Sequence, residues 1–161
     1  LANTKHKPRK RYRRDLRRVA KCRPMLDEIY RVFQPLEHVF NELKRGEITC
    51  TAQGVPIFPD DDGTYYEIVP ALSGWIDLWQ RMDEQCALGI DLKPLTQLVG
   101  KLNYMMPLTP DDVQRAYDVI NQQRQAYRGM DVFAVKKLVR TQEIAIALHN
   151  KIRKEHGIET D

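Results

Sequence analysis

The chain has 161 residues, of which 42% are apolar and 30% charged, a size and balance that suit one folded domain and exclude a disordered or disulfide-dependent scaffold. Its net charge of +4 is spread unevenly: residues 1–24 hold eleven Lys and Arg against the single acid Asp15, whereas the remainder carries 15 basic and 21 acidic residues. A tail of net +10 on a body of net −6 is the asymmetry expected where a chain meets a polyanion.

The first 23 residues read as a basic N-terminal arm. Up to Lys10 it is too poor in apolar residues to pack, and Pro8 interrupts it. From Tyr12 a helix can begin, with Tyr12, Leu16 and Val19 at helical spacing. Arg9, Arg13, Arg17 and Lys21 then fall on one i+4 stripe, flanked by Lys10, Arg14 and Arg18. Like charges so placed repel by a few tenths of a kcal/mol per pair, a repulsion that an anionic partner relieves.

Residues 24–156 read as a single helical domain with a β insertion at 47–69. Pro24 opens a helix whose Ile29, Phe33, Leu36, Phe40 and Leu43 recur at spacings of four and three. Pro35 inside this seam predicts a kink, and Gly46 after Lys44-Arg45 predicts a stop. Between 47 and 69 the period shortens. Ile48, Cys50 and Ala52 alternate with Thr49 and Thr51, followed by two further extended stretches at 55–58 and 64–69. This predicts a small antiparallel hairpin or three-stranded meander, with Pro56 at an edge or a bulge.

Helical spacing resumes at Pro70. Leu72, Trp75, Ile76, Trp79 and Met82 share a face that ends at Gly89. Asp91 caps a segment with Leu95, Leu98, Val99, Leu102 and Met105 inward, stopped by Pro107. Thr109-Pro110-Asp111-Asp112 is a strong helix start, with a capping hydroxyl, a first-turn proline and acids at the positive end of the dipole. That helix carries Val113, Ala116, Tyr117, Ile120 and Tyr127 to Gly129. Asp131 caps a last helix through Val135, Leu138, Val139, Ala145 and Ile152. The predicted fold is mainly α, a helical bundle with one small antiparallel element.

No constellation in the sequence reads as a catalytic site. The four histidines (His6, His38, His149, His156) are scattered, with no HExxH motif and no cysteine pair, so no metal and no cofactor is expected. Asp60-Asp61-Asp62-Gly63 lacks the alternating carboxylates of a calcium loop and reads as a turn. Cys22, Cys50 and Cys86 are odd in number and far apart, which points to a reducing compartment. No apolar run approaches the ~20 residues of a membrane span, and no hydrophobic signal core follows the charged start. A cytoplasmic location without membrane contact is the expectation. Trp75 and Trp79, in phase with Leu72 and Met82, read as core rather than as an exposed binding pair.

The residues expected to bind are therefore Lys7, Arg9, Lys10, Arg11, Tyr12, Arg13, Arg14, Arg17, Arg18 and Lys21. Arg and Lys neutralise phosphates and release counterions, and Tyr12 offers a ring for stacking. DNA or RNA is the expected partner. The alternative is a protein-binding inhibitor or adaptor that docks the arm on an acidic or nucleic-acid-binding surface of a host protein or defence complex. The Ile29–Leu43 seam suits either a homodimer or packing within the chain.

Lys5-His6-Lys7-Pro8-Arg9-Lys10-Arg11-Tyr12-Arg13 resembles the start of small uncharacterised proteins encoded by phages and prophages of proteobacteria, which begin with a Lys-Pro-Arg-Lys-x-Tyr-Arg-Pro type of segment. Here Arg14 stands in place of that final proline. The resemblance implies a viral protein acting in a bacterial cytoplasm. It implies no activity.

Overall fold

The structure, a computed structural model, describes residues 22–59 and 62–142. It is mainly helical with one small three-stranded antiparallel sheet. The elements in order are α1 (Leu26–Arg45), β1 (Thr49–Cys50), β2 (Pro56–Pro59), β3 (Tyr65–Glu67), α2 (Ile68–Cys86), α3 (Lys93–Asn103) and α4 (Pro110–Arg128). A further helix, α5, covers described residues 132–142. The arm helix expected from Tyr12, together with Ala145 and Ile152 of the last helix, lies outside the described residues.

Helix α1 forms because its apolar residues return to one side every three or four positions. Ile29, Phe33, Leu36, Val39, Phe40 and Leu43 are all buried on that face. Burying side chains of this kind contributes about 1.5–3 kcal/mol each. The seam is thus occupied within the chain. The helix continues through Pro35 as one element of 20 residues. Pro35 and Arg31 are both exposed, so solvent can satisfy the Arg31 carbonyl that the missing N–H leaves free. Gly46 ends the helix in the left-handed region at φ 69°, and Glu47 N donates back to Glu42 O at 3.1 Å.

The sheet is a meander in the order β1-β2-β3. Thr49 pairs with Ile57, and Ile57, Phe58 and Pro59 pair with Glu67, Tyr66 and Tyr65. Pro56 departs from the sequence expectation, because it lies in the central strand rather than at an edge. It is the first residue of that strand, paired with Cys50 of β1, and pairing with β3 starts only at Ile57. Its missing N–H therefore costs no ladder bond on the β3 side. Phe58 turns inward to the core while β3 remains exposed, and β3 runs straight into α2 at the buried Ile68.

In α2, Pro70 is the third residue, where the first-turn amide is not needed for the helix. Leu72, Ile76, Trp79 and Met82 face the core. Helix α3 buries Leu95, Leu98, Val99 and Leu102, and Asp91 Oδ1 accepts from Lys93 N at 3.0 Å. Met105, expected inward, is instead 70% exposed. The helix stops at Asn103 and Met105 adopts φ 53°, so the helical period that would have carried it inward is already broken.

Thr109 and Asp112 form the reciprocal cap that opens α4: the Thr109 hydroxyl accepts from Asp112 N and the Asp112 carboxylate accepts from Thr109 N. Lys101 of α3 donates to Asp112 at 2.6 Å, tying the two helices together. That ammonium contact, with the Thr109 backbone N–H, holds the Asp112 carboxyl well below the usual carboxylate range. Helix α4 packs on α3 and α1, and α2 packs on α3. Phe33 sits at the crossing, edge-on to Trp75 (5.3 Å between centroids) and to Tyr127 (5.8 Å).

Candidate nucleic-acid interface

Lys7, Arg9, Lys10, Arg11, Tyr12, Arg13, Arg14, Arg17, Arg18 and Lys21 all lie outside the described residues. What the structure does place is the point where that basic segment joins the body. Val132 N, the first amide of α5, donates to the Cys22 carbonyl at 2.9 Å, and Phe133 N donates to Asp131 Oδ1 at 3.2 Å. The first two orphan amides of α5 are thereby satisfied, one by its own cap and one by the chain leading into α1. Residue 22 is pinned to the start of α5.

This junction brings more positive charge with it. Residues 132–142 hold Lys136, Lys137 and Arg140, all exposed, and no acid. Lys136 and Arg140 are one turn apart, as are Lys137 and Arg140, so the described part of the helix carries like-charge pairs of its own. Asp27 and Glu28 in the first turn of α1 and the capping Asp131 are the acids close by in sequence. Around the same junction stand exposed apolar side chains: Met25 (77%), Leu26 (76%), Tyr30 (65%) and Phe133 (66%).

Next to the junction, α1 and α4 frame a cleft of about 490 Å³. Tyr30, Gln34, His38 and Asn41 line it from α1, and Arg124 and Arg128 line it from α4, with Phe33 among the apolar residues beneath. An exposed ring, amide side chains and guanidinium groups in one cleft are the set that stacks a base, reads its edge and holds a phosphate.

One wall of the cleft is structural. Both oxygens of Glu37 accept from the Tyr117 hydroxyl, at 3.0 and 2.9 Å, and Glu37 Oε1 also accepts from Arg124 Nη2. Arg124 lies over the Phe33 ring at 5.3 Å, and Lys44 lies over Tyr117 at 3.6 Å. Burial, with the adjacent Glu37 carboxylate, pushes the Tyr117 hydroxyl up, so it stays a neutral donor. Glu37 is thus occupied as an acceptor, and His38 beside it in sequence is exposed. Arg128 meets only Gln125 Oε1, at 3.5 Å, among the described residues.

Sequence reasoning put Tyr117 on the inward face of α4 but did not link it or Arg124 to Glu37. Their spacing of seven, two helical turns, was the available sign that they share a face. Cys22, Cys50 and Cys86 are exposed free thiols. Among the described residues no group of three or more His, Cys, Asp or Glu side chains is arranged to hold a metal, and no helix is long and apolar enough to cross a membrane. No protein-family model, curated protein or solved structure matches the chain.

Proposed function

We propose that this is a non-enzymatic, phage-type accessory protein of the bacterial cytoplasm that binds nucleic acid through its basic N-terminal arm. The observation that carries the reading is charge segregation: eleven basic residues and one acid in the first 24, on a body of net −6. Two features of the body support it. Cys22, which follows the arm, accepts from the first amide of α5, the helix that carries Lys136, Lys137 and Arg140. The α1–α4 cleft then offers Tyr30 and Arg128 to a base and its phosphate. Phosphate contacts of this kind supply affinity without sequence preference.

The test keeps the chain full length, because Cys22 is part of the fold. Arg9, Lys10, Arg13, Arg14, Arg17, Arg18 and Lys21 are replaced together by Gln. Affinity for mixed-sequence DNA and RNA should then fall by at least about a hundred-fold at moderate salt. Retained binding to both removes the proposal.

The exposed Met25, Leu26, Tyr30 and Phe133 favour a second reading, in which the arm and these apolar side chains dock on an acidic surface of a host protein. A stoichiometric partner that survives nuclease treatment would point to it. That partner should be lost both from the Gln-substituted chain and from a Met25→Ser/Leu26→Ser/Phe133→Ser chain.

A further inference from the structure

Both tryptophans of the chain lie on one groove. Trp75, Leu78, Trp79 and Met82 of α2 form one side and Val135 and Val139 of α5 the other, enclosing about 440 Å³. That volume is within the ~300–1,000 Å³ range of small-ligand sites, and the lining is overwhelmingly apolar, as such sites are. The helical spacing of Val135, Leu138 and Val139 predicts a packed face, yet all three are only half-buried.

The wall beneath the groove is tightly packed: Trp79 is 1% exposed, and among the described residues its buried indole N–H has no acceptor. Trp75 Nε1 donates to Gln123 Oε1 at 2.7 Å, while the Gln123 amide Nε2 is buried without a partner among the described residues.

The polar edge supplies the rest of the specification. Lys136 and Arg140 stand one turn apart on α5, and among the described residues Glu28 is the one acid in the lining. Two cations against one carboxylate favour a negatively charged head.

We infer that this groove binds an amphipathic carboxylate, with its apolar chain along Trp75, Trp79 and Met82 and its carboxylate at Lys136 and Arg140. The inference does not rest on the nucleic-acid reading, and its test contains no nucleic acid. Because the chain has no other tryptophan, intrinsic fluorescence reports on the groove alone.

The full chain is titrated with sodium decanoate below its micellar range, and with decanol and decylamine in parallel. Decanoate should give a saturable one-to-one emission change and raise the melting temperature by linkage. Decanol should bind more weakly and decylamine weakest. Lys136→Gln/Arg140→Gln, at two exposed positions, should weaken decanoate about ten-fold and leave decanol unchanged, as expected for two charge-assisted contacts. Trp79→Phe, read through Trp75, trims the apolar wall and should weaken decanoate and decanol alike. The inference is overturned by a non-saturable response to decanoate, by decylamine binding as tightly, or by undiminished decanoate binding in the double variant.

Discussion

Replacing Glu37 by Gln and Arg124 by Met, singly and together, isolates the ion pair that joins α1 to α4 across the cleft. The single Glu37→Gln change leaves the Arg124 guanidinium against Phe33 without its counter-charge. Arg124→Met leaves the carboxylate with Tyr117 as its sole described donor. Exposed pairs contribute about 0.2–1 kcal/mol, and breaking a fully buried pair costs about 3–5 kcal/mol. The two side chains are 24% and 29% exposed, so solvent screens part of the interaction and neither limit applies. An interaction energy of about 1–2 kcal/mol is therefore expected from the double-mutant cycle. Urea unfolding of the four proteins measures it, with a common denaturant slope as the check that only stability has changed. A coupling under about 0.3 kcal/mol would show that the pair is screened like any surface contact. One above about 3 kcal/mol would show that the cleft wall is closed to solvent and contradict the partly exposed arrangement of the pair.

Two further perturbations probe local features. Asp112→Asn removes a carboxyl whose pKa is depressed on folding. A group of this kind contributes stability that is present above its usual value of 3.8 and is lost as pH falls through the lower folded value. The gap in stability between wild type and variant should therefore be full at about pH 5 and shrink towards about pH 2, as followed by chemical unfolding at each pH; a gap constant with pH would contradict the assignment. At Gly54, φ is +82° and an added Cβ would lie 2.7 Å from Met105 Cε. The methionine tip can swing away, so Gly54→Ala should cost mainly the left-handed backbone strain of about 1–2 kcal/mol, and Met105→Ala should not rescue it. Full rescue, read as equal thermal midpoints, would place the cost in the contact instead.

The features legible in the sequence are those fixed by neighbours in the chain. Thr109-Pro110-Asp111-Asp112 announced a helix start because a cap is built from residues three apart, and the structure contains that cap. The α1 face and the α2 face followed from spacing for the same reason. Pro56 went wrong because the order of strands in a meander is a long-range property, and a first-residue proline is tolerated in the middle as well as at an edge. Met105 went wrong because a single left-handed residue ends the periodicity that placed it inward. The Glu37–Arg124 contact joins residues 87 apart, and no local pattern encodes it. The groove was hidden by a similar effect: Trp75 and Trp79 were assigned together to the core, yet Trp79 is fully buried while Trp75 remains half-buried at the opening between α2 and α5.

The central claim is that positive charge gathered ahead of α1 engages phosphates. The dependence of binding on salt tests it most directly, by fluorescence anisotropy of a labelled mixed-sequence duplex across a range of ionic strengths. If about six arm residues meet phosphates, the logarithm of the association constant should fall with the logarithm of salt at a slope near −5, and the Gln-substituted chain should show a slope near −2 or shallower. Equal slopes for the two chains, or binding that salt does not weaken, would contradict the account.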